Sequence, residues 1–160
     1  MTMTAFDTAE REISSTRIFD APRQLVWAAW TDPHHLGQWW GPNGFSTTTK
    51  VFEFRPGGVW EYIMHGPDGT DYPNYVTYRE IVPPERIVYD HGASAHDPKA
   101  FVSTVTFVER GAATEVTMRA VFKTKAMRDE VVERFGAIEG GKQTLGRLAG
   151  YIATLKPGGN

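Results

Sequence analysis

Cysteine is absent from this 160-residue chain, which excludes disulfide frameworks, zinc-cysteine sites, iron-sulfur clusters and thiol nucleophiles together. An excess of positive charge is absent as well. Seventeen Lys and Arg stand against nineteen Asp and Glu, for a net charge of -2, so there is no electrostatic footprint for nucleic acid. No run approaches the roughly 18 apolar residues of a membrane span, and no membrane insertion is expected. The opening segment carries Asp7, Glu10 and Arg11 where a signal peptide would need an apolar stretch, so a cytoplasmic protein is the expectation. No GxSxG, P-loop or GxGxxG motif occurs, and the five histidines show no HxH or HExxH spacing. No catalytic nucleophile, metal or cofactor is therefore expected. Aromatic rings are plentiful instead, with five Trp, six Tyr and nine Phe, more than a core of this size obviously needs.

The length predicts one domain, over residues 12–155, with loose tails at 1–11 and 156–160. A first strand is expected at 13–19. Asp20 and Pro22 then signal a short helix to Trp30, and Thr31-Asp32-Pro33 repeats that start for a second short helix ending near Trp39. From Phe45 onward the pattern is strand-length segments at 45–54, 59–65, 72–82, 86–91, 101–109 and 114–122. Arg55-Pro-Gly-Gly58 offers a type II turn, Gly66-Pro-Asp-Gly69 another, and Gly111 a hairpin. Alternation places Trp60, Tyr62 and Met64 on the core face against Glu61 and His65, and Val116, Met118, Ala120 and Phe122 on the core face of the last strand. The final segment, 125–155, has a helical period with Thr124 as its cap and Met127, Val131, Ile138, Leu145, Ala149 and Ile152 on one stripe. A single helix there would span about 45 Å. Five glycines within it carry a propensity cost of about 1 kcal/mol each relative to Ala. Carrying the 100° phase through the segment points Gly141 inward, and Gly136, Gly140 and Gly150 outward, where a homodimer contact could use them.

The resulting α+β order, βααββββββα, resembles the helix-grip fold of the START and birch-pollen-allergen (SRPBCC) superfamily, with a curved antiparallel seven-stranded sheet gripping a C-terminal helix. More closely it resembles the bacterial branch homologous to the activator of the ninety-kilodalton heat-shock-protein ATPase. The matching segments are APRQLVWAAWTDPHHLGQWWGPNGF (21–45), RPGGVWEYIMHGPDGTDYPN (55–74), PPERIVYDHG (83–92) and EGGKQTLGRL (139–148). The resemblance implies a cavity between the sheet and the C-terminal helix that holds a small hydrophobic or amphipathic ligand, in the setting of a stress response. It also leaves open a chaperone ATPase activator-like partner role, and an enzyme of the polyketide cyclase or aromatase kind. Many relatives carry Trp where this chain has Gly141, so a larger cavity is expected at that point.

Within this frame the candidate cavity-lining residues are Trp39, Trp40, Trp60, Tyr62, Met64, Met118, Arg134, Ile138, Gly141, Lys142 and Leu145. Arg134 falls near the centre of the helical stripe. Either it snorkels its head to the rim, or with Lys142 it anchors an anionic head group whose apolar body lies on Trp60, Tyr62 and Met118. Trp39 and Trp40 adjoin a Gly-Pro turn and read either as core plugs or as a cavity mouth. His65 and His91 read as exposed turn histidines, or as a pair meeting at one rim of the sheet. Glu61 and Glu80 read as solvated outer-face charges.

Overall fold

The computed structural model describes residues 8–155; of the loose tails expected at 1–11 and 156–160, residues 1–7 and 156–160 lie outside the described residues, and residues 8–11 are not loose but form a turn bonded to the sheet. A short 3-10 turn, Ala9–Arg11, leads into strand β1 (Glu12–Phe19). Two helices follow, α1 (Arg23–Thr31) and α2 (Pro33–Trp39), then six strands: β2 (Ser46–Phe52), β3 (Val59–His65), β4 (Asp71–Val82), β5 (Arg86–Gly92), β6 (Phe101–Arg110) and β7 (Ala113–Val121). Helices α3 (Lys125–Phe135) and α4 (Ala137–Leu155) close the described chain. The sheet is wholly antiparallel in the order β1-β7-β6-β5-β4-β3-β2, a six-strand meander with β1 added beside β7. Register shifts at Thr49/Val51 and Tyr78/Glu80 bend the strands that carry them, as bulges do.

The local signals account for most of these elements. Asp32 caps α2 by accepting from the His34 amide at 2.9 Å, with Pro33 in the first turn, and Thr124 accepts from the Met127 amide at the start of α3. Pro22 takes the N-cap position of α1, one residue earlier than a first helical position, and has no side-chain oxygen with which to cap it. In the Arg55–Gly58 turn the Gly58 amide donates to the Arg55 carbonyl at 2.7 Å, and Gly57 has φ +83°, the conformation a type II turn demands at its third position. The leading turn is tied to the sheet. Phe122 N–H donates to Arg11 O at 2.8 Å, Arg11 returns a side-chain bond to Phe122 O at 2.7 Å, and Arg119 holds Thr8 and Glu12.

One expectation requires correction. The C-terminal helical segment is not continuous: Gly136 adopts φ +59°, ψ +43° and ends α3, its amide donating to Val132 O at 3.1 Å. A left-handed residue at this position stops a helix, and glycine adopts it without steric cost. The break resets the helical phase, so the single stripe read across 125–155 divides. On α4 the buried residues are Thr144, Leu145, Leu148 and Ile152; α3 has none.

The core joins α4, α1 and α2 to the inner face of the sheet. Trp60, Tyr62, Val76, Tyr78, Ile87, Tyr89, Val105, Phe107 and Val116 alternate inward from successive strands and meet Val26, Trp30, Leu36 and Trp39. The aromatic surplus is built into this core as a chain of edge contacts. Trp30 packs on Trp39 at 4.7 Å between centroids and on Phe107 at 5.4 Å, and Trp40 on Trp60 at 5.3 Å; Trp60 then stacks on Tyr62 at 4.0 Å. Their polar edges are satisfied: Trp39 Nε1 donates to Ala29 O and Trp40 Nε1 to Tyr62 Oη, at 3.1 and 3.0 Å.

Candidate functional site

The core stops short of one end of the sheet. Beyond it lies a cavity of about 770 Å³ between the inner ends of β3, β4 and β5, the Pro42–Phe45 turn, α3 and the start of α4. Its walls are largely apolar: Met64, Tyr72, Phe101, Phe122, Val131 and Phe135. The volume lies within the range of about 300–1,000 Å³ usual for small-molecule sites. At the mouth Phe135, 56% exposed, stands edge-on to Tyr72 at 6.4 Å, and Phe45 meets the same ring at 6.0 Å.

The floor carries a polar row that strand register assembles. Tyr62 on β3 lies opposite Asn74 on β4, and Val76, two residues on, lies opposite His91 on β5. With a period of two, Tyr62, Asn74 and His91 therefore share the inner face. His91 Nε2 is 2.8 Å from Asn74 Oδ1 and 3.1 Å from Tyr62 Oη, while Asn74 Nδ2 donates to Tyr72 O at 3.0 Å. The row runs back through Tyr62 to Trp40 in the core. Desolvation pushes the Tyr62 phenol well above its usual pKa, and burial pushes His91 down to about 4, so at neutral pH both are uncharged.

The depressed His91 pKa has a consequence for stability. The folded protein binds fewer protons than the unfolded chain between about pH 4 and the ordinary value of 6.5, so stability rises with pH in that window. Acidification from 6.5 to 4 is expected to remove on the order of 2 kcal/mol through this residue, the loss levelling off below about pH 3. Histidine NMR titration should find one imidazole that stays neutral to below pH 5. Titration of every imidazole near 6.5 would contradict the assignment.

Two of the sequence-derived candidates border this cavity: Met64 from β3 and Arg134 from α3. Arg134 is exposed, ion-paired with Glu130 at 3.3 Å and placed over the Phe135 ring at 5.1 Å; the break at Gly136 removes it from any stripe shared with Ile138. Trp39, Trp40, Trp60, Tyr62 and Leu145 are core residues, although Tyr62 reaches the floor through its hydroxyl bond to His91. Met118 packs half-buried against that core. Ile138 is 44% exposed and Lys142 is exposed, neither on the cavity wall. Gly141 faces β1, where an added Cβ would lie 2.9 Å from Ser15 Oγ; its small size serves a close approach of α4 to β1 and opens no space.

His65 and His91 do not meet. The alternation that sends Trp60, Tyr62 and Met64 inward sends His65 outward, where it binds Asp71 at 2.7 Å and Thr48 at 2.8 Å; Ile87, Tyr89 and His91 run inward. Glu80 pairs with Arg86 at 2.8 Å on the outer face. Among the described residues no three histidines or carboxylates are grouped to hold a metal, and no helix is long and apolar enough to cross a membrane. A second hollow, of about 610 Å³, lies on the opposite face of the sheet beneath residues 93–97 and is lined by Arg11, Lys123 and the paired Arg79 and Asp90.

Sequence reasoning missed Asn74 and the inward role of His91, and it missed Arg147 on α4. Nη1 of Arg147 donates to the carbonyls of Gly41 and Pro42, both at 2.9 Å, and lies 3.4 Å from that of Trp40. This single guanidinium ties α4 to the turn that forms one rim of the cavity.

Comparison with known proteins agrees with this fold. A protein of Arthrobacter aurescens, solved by NMR, is 27% identical, with 92% of this chain and 89% of that one aligned at a TM-score of 0.84. A crystal structure from Nitrosomonas europaea is 24% identical, with 96% of this chain and all of the other aligned at 0.82. The AHSA1 protein of Silicibacter pomeroyi is 23% identical over 91% of this chain and 99% of its own, at 0.71. Among curated proteins none matches. The model of one family, Activator of Hsp90 ATPase homolog 1-like protein, matches residues 20–153, a span that takes in both short helices, six of the seven strands and nearly all of α4, and the chain belongs to that family.

Proposed function

We propose that the domain is a binding module for a small, mostly apolar molecule held in the cavity between the sheet end and α3. Family membership supports a ligand-binding kind of domain. The observation that carries the reading is an apolar hollow of about 770 Å³ floored by an uncharged polar row, the combination by which small-molecule sites bury a ligand and orient it. Charges gather at the mouth and nearly balance there, with Arg134 and Lys99 against Glu130, Glu139 and Asp97. A neutral or weakly polar ligand suits this mouth better than a strongly anionic one, because Arg134 already has a carboxylate partner. In this reading Met64 and Arg134 contribute to binding from wall and rim.

The test uses N-phenyl-1-naphthylamine, an uncharged dye that brightens in apolar surroundings. Saturable brightening is expected with the wild-type domain. Val131→Trp, which fills the cavity from α3 and disturbs no buried residue of that helix, is expected to weaken binding by about tenfold or more. Absence of saturable brightening, or equal affinity in the variant, would overturn the reading.

A further inference from the structure

We propose that the cavity selects molecules that carry a hydrogen-bond donor, an alcohol, phenol or N–H group, which His91 Nδ1 accepts at the floor. The inference rests on the ligand-binding reading above and adds the chemical class of the ligand. Asn74 is oriented by its own amide bond to Tyr72 O at 3.0 Å, so the atom it presents to His91 is Oδ1, an acceptor. At 2.8 Å this contact is shorter than the 3.1 Å contact to Tyr62 Oη. An acceptor so close requires a donor, which places the ring proton of the imidazole on Nε2. Tyr62 Oη in turn receives the Trp40 indole N–H.

In a neutral imidazole with its proton on Nε2, Nδ1 is a bare lone pair. It has no protein partner among the described residues. Nor is it sealed in the core, where, among the described residues, the only fully buried side-chain nitrogen or oxygen lacking a partner is Arg23 Nε. His91 lies on the inner face of β5 and lines the cavity, so its free acceptor opens there, beside Phe101 at 5.0 Å between ring centroids. An apolar ligand without a donor would bury this lone pair unpaired, and a ligand bearing a donor satisfies it. A site built around one buried polar group rejects the analogue that cannot pair with it.

A matched pair tests the rule: 1-naphthol, with a donor hydroxyl, and 1-methoxynaphthalene, in which a methyl replaces the hydroxyl proton. In calorimetric titrations of the wild-type domain, naphthol is expected to bind about tenfold more tightly, and in His91→Phe the two affinities should converge. Equal affinities in the wild type, or a preference that survives in His91→Phe, would overturn the donor rule while leaving ligand binding standing. Failure of both compounds to bind would overturn the donor rule together with the binding reading. Imidazole nitrogen NMR of the wild-type domain gives a check that does not depend on the variant folding. Nδ1 of His91 should show a pyridine-type shift and Nε2 a pyrrole-type shift, with the Nδ1 signal moving on addition of naphthol. The reverse assignment would overturn the proposal.

Discussion

Gly141→Trp is expected to destabilise the domain by about 3 kcal/mol or more, read as the urea midpoint of the purified protein. The first atom of any side chain at this position already lies 2.9 Å from Ser15 Oγ, and Ser15 is itself buried on β1. An indole there must lift α4 from β1 and drag Leu145 and Leu148, two turns of core packing, with it. Gly141→Ala is a different case. The helix gains up to about 1 kcal/mol of propensity, and the atom in the way is a hydroxyl that can rotate, so its midpoint should fall within about 1 kcal/mol of the wild type. A tryptophan variant as stable as the wild type would mean that α4 stands clear of β1, contrary to this packing.

Arg147→Met should cost about 2–3 kcal/mol and loosen one wall of the cavity. Methionine preserves much of the aliphatic stem but cannot donate, so the carbonyls of Gly41 and Pro42, each now bonded at 2.9 Å, lose a charged donor together. Burial already lowers the pKa of this guanidinium, yet an arginine remains a cation throughout the physiological range. Because Pro42 and Asn43 border the cavity, the loss should register twice: as a lower urea midpoint and as weaker binding of the naphthylamine dye. Unchanged values for both would show that the turn holds its place without α4.

The fold was legible where local chemistry and global packing agree. Asp32-Pro33 and Thr124 start helices because their side-chain oxygens reach amides two or three residues on, and Arg55–Gly58 turns because its glycines admit the conformation required. Alternation along β3 located Trp60 and Tyr62 in the core for the same reason. The helical break was less legible. Gly136 is one of five glycines in 125–155, and nothing local distinguishes the left-handed one from those that remain helical, so a phase carried through it misplaced Arg134 and Ile138. His91 did leave a signal, since the alternation Ile87, Tyr89, His91 continues inward to the end of β5. Arg147 left none. Its partners are main-chain carbonyls more than a hundred residues away, and a carbonyl looks the same under every side chain.

The cavity is bounded by two kinds of structure. Its floor is shared among three strands whose neighbouring residues form the core, so a change at Tyr62, Asn74 or His91 is felt by the whole domain. Its outer wall is α3, a helix that contributes no buried residue and ends at a single left-handed glycine. Mutations at Met127, Val131 or Phe135 can therefore reshape the space offered to a ligand at little cost to folding. Under the donor rule proposed above, floor and wall divide the work of recognition: the floor sets the polar group that a ligand presents, and the bulk and outline that accompany it are set by side chains of α3 that can change one at a time.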